Sequence, residues 1–561
     1  MEGQIIRTCN LLGGAAVITL LTCGTAAEAK VRVAPNDPGL AYIQARAAAM
    51  DGDHARAAEL LASLSQSQPT DNDLARKGVS EAINAGNMDL ALELAKGLPP
   101  AKLTTDARLL LAATELRRNR PERALPWLSV NGDNGSLDFL SPLVNAWTFT
   151  SRGDFSKALE AVDQVPAAGL LGPLRSEERA LILLKFGKTA EAQPYAERAA
   201  AAGGSRELQL RLAFADGFLA ANDRARATAI LDGIGSDAAA ARALILAGKP
   251  SGQAIDTPMK AFSDVLTSFA RDVARLERVA PPIGLIQVAR YANPQNSGAS
   301  LLLAVILEGQ DRSDEALRVL GSIPANDALQ SQVRDVQIRI LTADKRYDEA
   351  YGIAATAAAA PTAGISDFSR LGDVLAAMKR QDAAAEAYGK AADLARAQGL
   401  KDELWPLLLL KASSLQETKR WPETRQTLQE ALAIAPNQPL ILNFLGYSQL
   451  ERGENMDAAE EMIRKASELA PDDASITDSL GWAQFKRGKV AEAIDTLQRA
   501  AEKDPDQAEI QEHLGDALFK SGRRFEARFA WSAALVTAED EIADRVKAKL
   551  ASGLTSTNAA P

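Results

Sequence analysis

Cysteine and histidine are almost missing from this 561-residue chain, which holds two of each. Most metal, thiol and imidazole-base chemistry is thereby excluded, since such sites draw several ligands or a positioned base from these two residue types. Aromatic residues are also scarce, 5% of the chain against an apolar fraction of 47%. The core must therefore be built from Ala and Leu. There is no excess of positive charge, because 63 Lys and Arg face 73 Asp and Glu for a formal net charge of −10. A general nucleic-acid binder needs clustered cations to neutralise phosphate, so that class is disfavoured. At about 150 residues per domain the length implies three or four domains, unless a repeat array occupies it.

The one leader-like segment is N-terminal. Residues 11 to 21 form an uncharged, mostly apolar run, preceded by Arg7 and followed by Ala27-Glu28-Ala29. A short apolar run with a small-x-small end reads as a secretory signal peptide cut after Ala29. It is too short to span a bilayer core of about 30 Å, and no later apolar run has spanning length. Cys9 and Cys23 both lie in this leader, so a mature chain would hold no disulfide. Leu20-Leu21-Thr22-Cys23-Gly24 is similar to a bacterial lipobox, with Thr22 where such boxes carry Gly, Ala or Ser. Lipidation at Cys23 is thus the alternative to simple cleavage.

What the chain does have is a repeat. Gly446, Gly481 and Gly515 each follow a Leu and are spaced 35 and 34 residues apart, as are Gly453, Gly488 and Gly522. Ala459, Ala493 and Ala527 recur at 34 and 34, with Ala466, Ala500 and Ala534 and the prolines 436, 471 and 505 in phase. Each position has a physical reason. The first Gly and the first Ala stand where two helices approach closely. The second Gly ends the first helix in the left-handed conformation, and Pro closes the second helix. These ladders resemble the tetratricopeptide repeat, a helix–turn–helix unit of 34 residues. The 35-residue spacing has one extra residue in the turn Glu454-Asn455-Met456-Asp457.

The frame continues upstream through Ala316, Ala350 and Ala384, and near the N-terminus through Ala57, Ala91, Ala124, Ala158 and Ala192. Only residues 235–298, broken by several Gly and Pro, lose the rhythm. The resemblance therefore implies an all-α superhelical solenoid in two arrays. The expected divisions are a signal peptide (1–29), a leader (30–40), an N-terminal array (41–234), a divergent helical junction (235–298), a C-terminal array (299–538), and a helix end with a disordered tail (539–561).

Enzyme-like motifs along the same frame are few and incomplete. Gly187-Lys188-Thr189 imitates the end of a phosphate-binding loop, but Ile182 stands where its first Gly belongs and Gly187 is the repeat's turn glycine. The sequence has no His-Glu-x-x-His and no Gly-x-Ser-x-Gly. Neither a catalytic residue, a metal site nor a cofactor is assigned. His513 is taken as a packed or solvated residue.

Stacked helix pairs coil into a superhelix with a concave groove. In the tetratricopeptide family first-helix residues line it. By that resemblance the groove residues here are Asn443 and Tyr447, then Asp478, Trp482, Phe485 and Lys486, then Glu512, Asp516, Phe519 and Lys520. Trp482, flanked at i−4 and i+4 by Asp478 and Lys486, would anchor a peptide. The Lys and Asn pair by which some members hold acidic chain ends is absent.

A narrower resemblance covers about 100 residues. Asn443-Phe444-Leu445-Gly446-Tyr447, Asp478-Ser479-Leu480-Gly481-Trp482 and Gly522 to Arg528 look like bacterial envelope tetratricopeptide proteins. One such group is the adaptor for a periplasmic carboxyl-terminal processing protease. It implies a periplasmic or outer-membrane-associated, non-enzymatic scaffold for protein partners, with membrane contact only through a lipidated Cys23. Two rival readings stand beside it: a structural part of an envelope export or polysaccharide machine, and a hydrolase with an unrecognised carboxylate site in 235–298.

Overall fold

A computed structural model describes residues 37–130, 135–166, 172–234, 238–276 and 281–560. The leader with Cys9, Cys23 and Ala29 lies outside the described residues. Thirty α-helices are present, and no strand occurs among the described residues. The first twelve form six consecutive hairpins. They are α1 (Pro38–Met50) with α2 (His54–Ser67), α3 (Asn72–Asn84) with α4 (Met88–Lys96), and α5 (Thr105–Arg117) with α6 (Pro121–Ser129). Next come α7 (Ser141–Ser151) with α8 (Phe155–Asp163), α9 (Gly172–Lys185) with α10 (Thr189–Ala201), and α11 (Glu207–Ala220) with α12 (Arg224–Ala229).

The rhythm then changes to α13 (Ala239–Leu246), α14 (Pro258–Ala274) and α15 (Ile283–Ala292). Seven further hairpins follow: α16 (Ser297–Glu308) with α17 (Ser313–Gly321), α18 (Gln330–Ala343) with α19 (Tyr347–Ala358), α20 (Ile365–Ala377) with α21 (Gln381–Ala397), and α22 (Lys401–Glu417) with α23 (Trp421–Ile434). The last three are α24 (Pro439–Glu451) with α25 (Met456–Leu469), α26 (Ala474–Lys486) with α27 (Val490–Lys503), and α28 (Ala508–Lys520) with α29 (Arg524–Thr537). A single helix, α30 (Asp540–Ser552), ends the stack.

The ladders seen in the sequence do the work assigned to them. Every alanine of the first-Ala ladder, from Ala57 to Ala527, is fully buried. A Cβ added at Gly481 would stand 2.6 Å from Leu497 Cγ, and one at Gly446 would stand 2.8 Å from Ile463 Cγ1. The two helices of each hairpin are thus in contact where the small residue sits. Gly453, Gly488 and Gly522 have φ of +66°, +77° and +91°, the conformation that ends the first helix without a Cβ clash. Asn119, Asn222, Asp311, Lys345, Lys379 and Lys419 adopt the same left-handed backbone in the equivalent turns of other hairpins. Those repeats were faint in sequence because their turn glycine has been replaced.

The opening turn is itself a helix start. Asp37 caps α1 through Oδ1, which accepts from the Gly39 amide at 2.8 Å, and Pro38 takes the first helical position where no amide donor is needed. α21 and α22 are each 17 residues long, longer than the other paired helices of the C-terminal array.

Residues 258–292 do not simply prolong the stack. α14 and α15 lie against α3, α5 and α7, the first helices of the N-terminal hairpins. Phe262, Val265, Leu266, Val288 and Ala289 belong to one apolar cluster with Val79, Ile83, Leu110 and Leu128. Thr114 and Tyr291 share a hydroxyl hydrogen bond at 3.3 Å, and the Gln287 amide donates to the Asn84 carbonyl at 3.3 Å. The first-helix face of the N-terminal array is thus filled by the chain itself.

Candidate binding groove

The C-terminal counterpart of that face is made by α24, α26 and α28. Their side chains meet one another because the hairpins stack with first helix against first helix. Trp482 on α26 is 1% exposed. Its indole stacks on the His513 imidazole with centroids 4.1 Å apart and planes at 10°, and on the Phe485 ring at 4.9 Å. Lys486 Nζ lies 5.2 Å from the indole centroid, within cation–π range. Asp478, one turn earlier on α26, accepts from Nδ1 of His513 at 2.9 and 3.1 Å. Burial opposes a charge on this imidazole, but the Asp478 carboxylate with its hydrogen bond, and the fields of Glu509 and Asp516, raise its pKa. His513 is therefore packed, and it joins α26 to α28.

A second polar cluster lies beside it. Glu512 and Asp516, at i and i+4 on α28, are both fully buried, as is Lys549 of α30. Lys549 Nζ stands 2.7 Å from each carboxylate, and Arg545 pairs with Glu512 at 2.8 Å. Asp516 also accepts from the Trp531 indole N–H at 2.9 Å. Burial would raise the Glu512 carboxyl, yet the donors Arg545 and Lys549 hold it below the usual range. Burial wins at Asp516, which is raised despite Lys549.

Beyond α30 the chain does not trail away. Gly553, with φ of +79°, turns it, and a Cβ at that position would come within 2.7 Å of Phe519 Cζ. Asn558 then folds the segment on itself: its Oδ1 accepts from the Thr555 amide at 2.7 Å, and its Nδ2 donates to the Gly553 carbonyl at 2.9 Å. The Ala560 amide donates to Asp516 Oδ2 at 3.3 Å. Ala560 is 3% exposed and joins the apolar cluster of Leu450, Leu480 and Trp482, which Tyr447 and Phe485 border. A tail of small polar residues looked structureless in sequence. It is ordered here because the groove supplies apolar contacts and an acceptor that its own composition lacks.

The ten residues assigned to the groove thus have unequal surroundings. Asp478, Trp482, Glu512 and Asp516 are buried, held by His513, by α30 and by the tail. Asn443, Tyr447, Phe485 and Phe519 are half-buried, and Lys486 and Lys520 are exposed. Burial pushes the Tyr447 phenol far up. Sequence reasoning missed Arg545, Lys549 and Ala560. The signal was legible: two carboxylates four residues apart on α28, and two cations four residues apart on α30. No helix is long and apolar enough to cross a membrane, and no cluster of metal-ligating side chains occurs, among the described residues.

Two carboxylates of the 235–298 region are held in ion pairs, Asp256 by Lys260 at 2.9 Å and Asp264 by Arg206. Arg206 reaches Asp264 at 2.6 Å, Glu177 at 3.0 Å and Ser268 Oγ at 2.9 Å. This ties α14 to α9 and to the start of α11. Neighbouring Glu178 accepts from the Trp147 indole at 2.6 Å, and burial pushes its carboxyl up to about 8.

Comparison with known proteins agrees on the repeat. Residues 481–522, which hold Gly481, Trp482, Glu512, Asp516 and Gly522, match the family model of the TPR (tetratricopeptide) repeat. No curated protein matches the chain. Similar solved structures include the APC/C hetero-tetramer Cut9-Hcn1, at 14% identity over 93% of this chain and 97% of that one, with a TM-score of 0.36. MamA 41-end from Desulfovibrio magneticus RS-1 is similar at 16% identity over 31% and 94%, TM-score 0.27. YrrB, a TPR protein with an unusual peptide-binding site, is similar at 16% identity over 32% and 91%, TM-score 0.26.

Proposed function

We propose that this protein is a non-enzymatic, peptide-binding scaffold of the bacterial cell envelope, and that the face of α24, α26 and α28 receives a short segment of a partner protein. One observation carries the reading: that face already holds a peptide, residues 553–560 of the same chain. The occupant makes one backbone hydrogen bond to Asp516 and buries a small apolar residue beside Trp482. Recognition of this kind asks little of the ligand's side chains, apart from a small residue at the deep position. The tetratricopeptide match over 481–522, which takes in the end of α26 and all of α28, supports the reading. The envelope assignment rests on the leader, and a carboxyl-terminal processing protease or a cell-wall enzyme is the partner implied by the narrower resemblance.

The tail is then a resident competitor. A synthetic peptide of residues 553–561 should bind a chain ending at Ser552 and should bind the full-length chain far more weakly. A photo-crosslinking residue at Phe485 should capture that peptide, whereas one on the outer face of α27 should not. Absence of binding to the folded truncated chain would exclude this face as the peptide site.

A further inference from the structure

A cavity of about 870 Å³ lies elsewhere, where the N-terminal array meets the C-terminal one. α11, α14, α16 and α18 all contribute to it. One wall is apolar, with Leu302, Val305 and Ile306 of α16 facing Leu276 beyond the end of α14. Leu276 is 58% exposed and Val305 40%, an unusual state for large apolar side chains grouped on one concavity. The lining also carries two cations, Arg271 of α14 and Arg275, which caps its C-terminal end.

Among the described residues, neither cation has an ion-pair partner. Arg271 donates to Gln209 Oε1 at 3.4 Å, and its Nη1 is buried with no hydrogen-bond partner. Arg275 donates to Ser205 Oγ at 2.8 Å. Asp272, beside Arg271 in sequence, contributes a field but no ion pair, and two other nearby carboxylates are engaged by different arginines. Asp264, two turns earlier on α14, is held by Arg206, and Asp335 in the cavity wall is held by Arg370. Two other buried cations of this protein, Lys549 and Arg206, are each held between two carboxylates. An unmatched guanidinium in a cavity is costly unless a ligand supplies the anion. Burial and the nearby Arg206 charge already push Arg271 down to about 10.

We infer that this cavity binds an amphiphilic anion, its carboxylate or phosphate head paired with Arg271 and Arg275 and its apolar body lying on the α16 wall. The volume falls within the range of small-ligand pockets, roughly 300–1,000 Å³, and a mainly apolar lining with a few convergent polar groups is their usual composition. Guanidinium favours such planar or tetrahedral oxyanions because it can donate two parallel hydrogen bonds. The site is separate from the α24–α28 face and does not depend on its assignment.

Calorimetry on the full-length protein tests this with four ligands of one chain length, below their micelle concentrations: decanoate, decyl phosphate, decanol and decylamine. One or both anions should bind at least about tenfold more tightly than decanol, with decylamine weakest, and the preferred anion identifies the head group. Arg271→Gln should weaken anion binding about tenfold or more, since a tenfold change corresponds to the loss of one modest charge-assisted contact, while leaving decanol unaffected. Val305→Trp, at a half-exposed position, should block all four ligands without touching a charge, which keeps the test valid if the arginine variant folds poorly. Equal binding of decanoate and decanol, or anion binding unchanged in the folded Arg271→Gln protein, overturns the assignment. So does tighter binding by a short peptide with a free C-terminal Leu than by any of the four ligands.

Discussion

Replacing Lys549 by Met should unlock the C-terminal end of the stack. The ammonium is fully buried between two fully buried carboxylates at 2.7 Å. Removing one partner of a buried ion pair typically costs about 3–5 kcal/mol, because the remaining charge stays desolvated and unmatched. Here the lower end applies: Glu512 keeps Arg545, and Asp516 keeps the Trp531 indole and the Ala560 amide. Met retains the length and apolar stem of Lys, so the loss is electrostatic rather than a cavity. In a repeat array each hairpin contacts chiefly its neighbours, so the damage should stay local, and a single global melting temperature would blur it. Hydrogen exchange is the right assay. Amides of α28 and α30 should exchange about a hundredfold faster, as about 3 kcal/mol requires, while α1–α4 are unchanged. The sign of the pH effect follows from Asp516, whose folded pKa is already raised and would rise further without Lys549. Stability tied to a raised carboxyl is present at low pH and lost as pH rises through it, so the variant should regain protection when taken from pH 7 towards pH 5. Adding Asp516→Asn should also recover part of the loss. An exchange change below about threefold in α28 and α30, or greater damage at pH 5 than at pH 7, would refute the buried triad as the lock.

Further outcomes can be stated for other parts of the fold. Glu178, held neutral by burial with a pKa of about 8 against 4.5 for a free glutamate, should lose stabilising power as pH rises through 8. Glu178→Gln should therefore match wild type at pH 5 and exceed it by a few kcal/mol at pH 9 in denaturant unfolding of the N-terminal array. Lys345, Lys379 and Lys419 are exposed residues at φ of about +60°. Substituting Gly at each should stabilise its hairpin by roughly 0.5–1 kcal/mol, read as higher denaturant midpoints, since a Cβ is costly in that conformation. Gly481→Ala should destabilise by about 1–3 kcal/mol through overpacking against Leu497, and Leu497→Ala in the same chain should return part of the loss.

The repeat was legible because its rules are local. A small residue where two helices touch, a glycine at a left-handed turn and a proline past a helix end leave marks at fixed spacing whatever the partner. Upstream the marks faded at particular residues: the turns at Asn119, Asn222, Lys345 and Lys379 carry the same backbone without glycine. The groove was legible only in part. First-helix positions pointed to α24, α26 and α28, but repeat position alone does not say which of their side chains another segment will cover. Trp482 was conspicuous as an anchor because aromatics are rare, yet its indole is enclosed by His513, Phe485 and the tail cluster. His513, taken as a packed or solvated residue, proved to be a fully buried partner of Asp478.

By itself, then, the sequence determined the helices, their pairing and the all-α class, since those follow from periodicity and backbone preference within about 35 residues. Tertiary structure decided what fills the two first-helix faces. α14 and α15 enter the N-terminal one, 203 residues separating Gln287 from the Asn84 carbonyl it reaches. The C-terminal segment enters the other, where Ala560 meets Asp516. Such contacts leave no periodic trace. They depend on which surface remains uncovered once the array has stacked, and on whether a distant segment carries the charge and shape to cover it.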